Sequence, residues 1–350
     1  MNTMSRRKFV ESTTLVAAAM SFPNINFGKG LDDEIVGYGA HKYKLVKNWA
    51  DFGSLPVNDC HEMVQDSKGR LIFNTNETKN NIIICDKKGK LIKTWGTEYP
   101  GAHGLTIFNE NGTDVLFITD PERRQVIKTD IDGKILLKLN YPAATGKYKM
   151  DGTYYRPTEV TVLPNGDFYV SDGYGEQFIT HYNAKGEIKN IFGGDGPEDD
   201  KFTQCHGIAY DNRDKSNPVL LITDRMKHQL KRFTLDGKYL STIQFSNIWN
   251  CRPVVKGDNV YMAILKCSAD LAWQNDSVKG CVLILDKTNK VISSIGTTQP
   301  EYKDGKMLPV IQNFDKFQFP HDVCIDDEGC LYVTQWNSGK VYPYKFQKIA

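Results

Sequence analysis

The stretch from His206 to Ile243, HGIAYDNRDKSNPVLLITDRMKHQLKRFTLDGKYLSTI, decides the fold. An alternating apolar run opens it, a polar turn follows, and VLLITD continues as a second strand. Two more short strands come after, separated by Asp236-Gly237. Period-two segments joined by turn residues make one small antiparallel sheet. The same unit recurs along the chain. It begins at His61 (HEMVQDSKGRLIFNTNETKNNIIICDKKGKLIKTWG), at His103 (HGLTIFNENGTDVLFITDPERRQVIKTDIDGKILLKL) and at Thr158 (TEVTVLPNGDFYVSDGYGEQFITHYNAKGEIKNIFG). It begins again at Arg252 (RPVVKGDNVYMAILK, continuing past an insertion as GCVLILDKTNKVISSIG) and at His321 (HDVCIDDEGCLYVTQWNSGKVYPYKF). The starts lie 42 to 69 residues apart, the length of a four-stranded blade with variable loops.

One such sheet cannot bury both of its faces, so six must stack around an axis. The expected fold is all-β: a six-bladed β-propeller with four-stranded blades. The sixth unit stops at three strands after Val341 to Phe346, while the strand-like KYKLVKNWADFG stands unused before the first unit. Pairing Lys42 to Phe52 with Val341 to Phe346 would close the last blade with an N-terminal strand and remove its open edge.

Composition narrows the function. A net charge of +2 argues for neither nucleic acid nor an anionic membrane surface as partner. No apolar run is long enough to span a bilayer, so membrane insertion is not expected. The eight cysteines contain no CxxC pair and demand no disulfide framework in a chain of 350 residues. The opening MNTMSRRKFVESTTLVAAAMSFP pairs two arginines with a short apolar run. It resembles a bacterial twin-arginine export signal over residues 1–25, leaving 26–350 for the propeller. A periplasmic or otherwise exported protein is expected, with the twin-arginine export machinery as a partner and a metal acquired before export.

In a propeller the first strand of every blade lines the central channel. Equivalent positions therefore form a ring, here His61, His103, Thr158, His206, Arg252 and His321. Four of the seven histidines fall on it. Converging neutral imidazoles suit a transition metal, and three of them with one open position describe a catalytic zinc site. The other reading of the ring is a polar channel mouth holding water.

The units resemble NHL-type repeats, and the histidine placements narrow the resemblance to the peptidyl-α-hydroxyglycine α-amidating lyase family. It covers roughly residues 57–346. The family's metal motifs, similar to P-H-G-L, P-H-S-L and P-H-D-I, fall on A-H-G-L at His103, C-H-G-I at His206 and P-H-D-V at His321. Its tyrosine in a D-G-Y turn matches Asp172-Gly173-Tyr174, and its arginine after an aspartate matches Asp224-Arg225. The resemblance implies a six-bladed propeller whose three histidines hold zinc. The departures are also specific. The family's first-blade arginine has no counterpart in Ile72-Phe73-Asn74-Thr75-Asn76, its paired cysteines are absent, and His61 occupies a position where the family places no ligand.

The expected function is an exported metal-dependent lyase that cleaves a C–N or C–O bond at a hydroxylated carbon. Zinc, or another divalent ion, would be held by His103, His206 and His321 with His61 nearby, and a structural Ca2+ is also allowed for. Tyr174 would remove the proton of a metal-bound hydroxyl, and Arg225 would stabilise the oxyanion. The substrate would be a small molecule or a glycan-derived compound. The alternative is a non-catalytic exported propeller that binds carbohydrate or protein, with His61 completing a closed metal site. A calcium-dependent lactonase is disfavoured, because calcium wants carboxylate and amide oxygens rather than imidazoles.

Overall fold

A computed structural model describes residues 34–148, 152–267, 279–339 and 341–349. The expected leader, residues 1–25, lies outside the described residues. Five four-stranded antiparallel sheets follow one another in chain order, and a sixth sheet joins the two ends of the chain. The first blade is Cys60–Gln65, Leu71–Thr75, Ile82–Cys85 and Leu91–Trp95. The third and fourth open with Glu159–Val162 and Cys205–Asp211, and the fifth with Ile248–Lys256. Second and third strands are apolar on both faces, as in LIFNT and IIIC, because neighbouring blades cover each sheet from both sides. No helix among the described residues is long and apolar enough to cross a membrane.

The recurring turn has a local cause. Asp86 Oδ1 accepts hydrogen bonds from the backbone N–H groups of Lys88 and Lys90, both at 2.9 Å. Asp130 repeats the arrangement with Asp132 and Lys134, and Asp326 with Glu328 and Cys330. The fourth residue of the turn takes a left-handed conformation, φ +81° at Gly89, where an added Cβ would sit 2.0 Å from the Trp49 carbonyl oxygen. That pair of requirements is the D-x-x-G spacing seen in the sequence.

The ring closes as expected, with shifted bounds. The sixth sheet consists of Pro320–Ile325, Leu331–Gln335 and Tyr344–Lys348, completed by His41–Val46. Tyr43 faces Lys348 and Leu45 faces Phe346. The third strand starts at Tyr344 rather than Val341 because Pro343 has no N–H to give a ladder. The closing strand ends at Val46, and the chain turns at Asn48 with φ +50°. Trp49 and Phe52 then serve as packing residues, against Tyr332 and Phe73. A fifth strand, Ile35–Tyr38, adds outside the closing one and was not expected. It docks onto blade five: Tyr38 N–H donates to Ser293 Oγ and its hydroxyl to the Thr297 carbonyl, each at 2.9 Å.

Polar latches join the blades near the axis. Asn74, from the second strand of blade one, accepts from Glu62 N–H at 2.7 Å and donates to the His103 carbonyl of blade two at 2.9 Å. Thr119 does the same between Gly104 N–H and the Thr158 carbonyl, and Thr334 donates to the His61 carbonyl. One step further along the channel lies a charged layer. Arg252, 8% exposed, donates to Asp322 at 2.6 Å and to the Leu105 carbonyl at 2.9 Å, and lies 2.9 Å from Glu62. Burial works against its charge, but Asp322, Glu62 and Glu159 outweigh that and raise its pKa. Burial also raises Glu62 well above the carboxylate range, with Arg252 opposing. The channel carboxylates that could serve a structural Ca2+ are thus engaged by a guanidinium.

Two outcomes test this frame. Deleting residues 1–47 removes Tyr43 and Leu45 from the core and opens the edge of Tyr344–Lys348; several kcal/mol of stability should go, at about 1.5–3 kcal/mol per buried side chain. Unchanged thermal unfolding of the truncated protein would refute the closure. Arg252→Met should cost about 3–5 kcal/mol in denaturant unfolding, because it strands buried carboxylates. That deficit should narrow as the pH falls, since a protonated carboxyl needs no cation; a deficit independent of pH would show the layer to be held by packing alone.

Candidate functional site

The second strands of blades two and four end in Asp120 and Asp224, and Asp172 directly follows that of blade three, Phe168–Ser171. Each aspartate ties the loop entering its own blade to that blade's rim. Asp120 accepts from Gly101 N–H, and from Glu122 and Arg123 N–H on the loop that follows. Asp172 accepts from Arg156 N–H at 2.5 Å and Glu176 N–H at 2.7 Å. Asp224 accepts from Thr203 and Gln204 N–H. Burial pushes Asp172 up to about 7. These ties fix Tyr174 and Arg225, which follow the aspartates, against the histidines, which stand at the starts of first strands.

All four ring histidines meet. Ring centroids are 4.8 Å apart for His61–His103, His61–His321 and His103–His321, 4.9 Å for His103–His206 and 5.1 Å for His206–His321. His103 Nδ1 lies 2.9 Å from the Thr158 carbonyl and His321 Nδ1 lies 3.2 Å from the His61 carbonyl. A carbonyl only accepts, so both Nδ1 atoms carry the proton and both Nε2 atoms present lone pairs, the arrangement typical of ligating histidine. The Nδ1 atoms of His61 and His206 are buried with no hydrogen-bond partner. Burial drives His61 down to about 4 and the other three well below the ordinary imidazole value. A buried set of neutral imidazoles with two unpaired nitrogens fits a divalent, nitrogen-preferring metal.

The grouping differs in detail from the expected trio. Ligand atoms lie within 4.8 Å of one another in two sets, His61/His103/His321 and His206/Cys251/His321. His321 is common to both. Between His103 and His206 stands the Tyr174 hydroxyl, 3.1 Å from one Nε2 and 3.0 Å from the other. Arg225 Nη1 donates to that hydroxyl at 3.4 Å, while Nε donates to the Asn250 carbonyl and Nη2 to Cys251 Sγ, each at 3.2 Å. Burial raises the Tyr174 phenol, and the Arg225 charge opposes that rise. A cavity of about 640 Å3 opens over these groups, with Trp249, Leu265 and Trp336 forming an apolar wall. That volume is in the range of small-molecule sites.

Two ring positions are corrected. Arg252 does not face the cavity. Register breaks on either side of Asn250 carry it into the charged layer, and Cys251 takes the place at the site. Thr158 contributes its carbonyl to His103, while its hydroxyl is spent on Ser171 and Gly173. Cys251 carries no sequence signal of its own, because a single ligand lacks the paired spacing that marks a cysteine motif. Arg156, another cavity residue, was also missed, although its place two residues before a ring position was a usable signal.

With this geometry in view, similarity to known proteins acquires meaning. The chain is 25% identical over 283 residues to peptidyl-α-hydroxyglycine α-amidating lyase 1 of Drosophila melanogaster, covering 75% of this chain and 48% of the fly protein. It is 33% identical over 173 residues to a probable peptidyl-α-hydroxyglycine α-amidating lyase of Caenorhabditis elegans, covering 45% and 47% of the two chains. The chain therefore spans about half the length of these curated relatives. No family model matches it. Among solved structures, a streptogramin B lyase superimposes with a TM-score of 0.55 at 14% identity, over 89% of this chain and 98% of that one; this establishes a shared fold. The protein is a six-bladed propeller. Within that class it is a distant homologue of the amidating lyases.

Replacing His103, His206 or His321 by alanine should abolish zinc binding and the thermal stabilisation that zinc confers. A ligand at a hundred times its Kd stabilises by about 2.7 kcal/mol. Metal analysis and melting curves with added zinc check this, and a wild-type protein indifferent to zinc would refute the metal site.

Proposed function

We propose that this chain is an exported, metal-dependent lyase that cleaves a C–N or C–O bond at a hydroxylated carbon of a small molecule. The observation that carries the proposal is the Tyr174 hydroxyl, held between the Nε2 atoms of His103 and His206 with Arg225 donating to it. A divalent ion on the histidines, zinc by the chemistry of the donor set, would supply Lewis acidity to the substrate hydroxyl. Tyr174 Oη takes the proton of that hydroxyl. Arg225, fixed on the Asn250 carbonyl, holds positive charge at Tyr174 Oη and favours the phenolate that accepts it. As the oxygen becomes a carbonyl, the bond between carbon and the leaving nitrogen or oxygen breaks with its electron pair. The proton returns from Tyr174 to the leaving group, and no oxidant is needed. The apolar wall of Trp249, Leu265 and Trp336 limits water around the reacting carbon.

The twin-arginine leader supports an exported location. The distant lyase homology supports the reaction class; the first-blade stretch Ile72-Phe73-Asn74-Thr75-Asn76 lacks the arginine that the family resemblance implies, which argues for a different substrate. The second reading, a binding propeller with a closed metal site, rests on His61 and Cys251, which offer extra ligand atoms. Turnover separates the two. Tyr174→Phe should keep full zinc content yet lower turnover of hydroxylated N-acyl or O-alkyl test substrates by about 10²–10⁴-fold, the scale of general-base catalysis. A Phe variant with undiminished turnover would move the base elsewhere. A wild-type protein with a full set of protein ligands and no turnover would establish the closed site.

A further inference from the structure

We infer that Cys267 and Cys281 form an intramolecular disulfide when the folded protein meets a thiol-oxidising compartment. Cys267 ends the strand Asn259–Cys267 of blade five, and Cys281 begins the next, Cys281–Leu285. The two strands pair antiparallel, with Ile264 facing Cys281. Beyond Ile264 the chain keeps to the same hairpin. Cys267 N–H donates to the Lys279 carbonyl at 3.0 Å, and its Sγ lies 3.3 Å from the same oxygen. The Cys281 thiol in turn hydrogen-bonds to that of Cys267. Both are free thiols, packed in one apolar cluster with Ile248, Ile264 and Leu283. Two thiols in contact across neighbouring strands are the starting geometry of a disulfide.

The two sulfurs differ in access. Cys281 is fully buried, whereas Cys267 is 4% exposed and stands at a strand end, where local opening costs least. Burial and the Cys267 contact raise the Cys281 thiol well above its ordinary value, so it stays protonated until exchange begins. Cys267 therefore attacks an external disulfide first and expels one thiol. Cys281 then attacks the Cys267 sulfur and expels the second, so the external disulfide takes up two electrons and both protons. The bond closes a loop of 15 residues, Cys267 to Cys281. It also fastens the strand end behind the cavity. Leu265 precedes Cys267 by two residues, and Trp249 follows its register partner Ile248; both belong to the cavity's apolar wall. The proposed export would bring the pair to an environment where disulfides persist.

Neither cysteine lines the cavity, so the test stands apart from the lyase reading. The full chain is equilibrated with oxidised glutathione, unfolded and titrated for thiols. Six of the eight cysteines should react, and peptide mass mapping should place the lost pair at Cys267 and Cys281. Oxidised wild type should melt roughly 5 °C above its reduced form, the scale of a loop this short in a chain this long. Cys267→Ser should keep all its remaining thiols and melt alike with and without reductant. Because that difference is read within each protein, a general loss of stability in the variant does not blur it. Eight reactive thiols after oxidation, a lost pair that maps elsewhere, or a reductant-sensitive melting temperature that survives in Cys267→Ser overturns the assignment.

Discussion

Two backbone carbonyls, of Thr158 and His61, each accept two donors, and both the ring and the site depend on them. Thr158 O receives the Thr119 hydroxyl and His103 Nδ1, each at 2.9 Å. His61 O receives the Thr334 hydroxyl at 2.7 Å and His321 Nδ1 at 3.2 Å. In each pair the hydroxyl joins one blade to the next, and the imidazole is fixed in one tautomer by the same oxygen. Blade register and ligand orientation are therefore a single constraint. A first strand slipped by one residue would turn its histidine out of the channel and leave a hydroxyl and a carbonyl buried without partners, at about 1–3 kcal/mol each.

Below this layer the channel changes character within one residue. His61 is followed by Glu62 and His321 by Asp322, and register breaks between Cys60 and Met63 and between Pro320 and Asp322 let consecutive residues give one neutral layer and one charged layer. The two interact. Arg225 and Arg252 add positive potential to the desolvation and the neighbouring rings that already hold His103 neutral. Neutral imidazoles are the form that binds metal, so charge buried for the frame also prepares the site.

The repeats were legible because each carries its turn chemistry, as in Asp86 and Gly89, and because strand periodicity states which faces are covered. The four histidines followed from that alignment. What the sequence hid were departures from regularity. The breaks around Asn250 send Arg252 down the channel and bring Cys251 up, and a bulge has no residue signature of its own. The added strand Ile35–Tyr38 was invisible for a related reason: four residues of IVGY resemble a loop until Ser293 and Thr297 are there to bind Tyr38.

The site divides its residues between strands and loops. The histidines stand where first strands begin, and neighbouring blades constrain two of them, His103 and His321, through carbonyls that no substitution removes. Tyr174, Arg225 and Arg156 sit on loops, which tolerate replacement, but the aspartates at the second-strand ends pin those loops to the rim. Asp172 holds both Arg156 and the turn bearing Tyr174, so the loop entering blade three and the proposed base share one anchor.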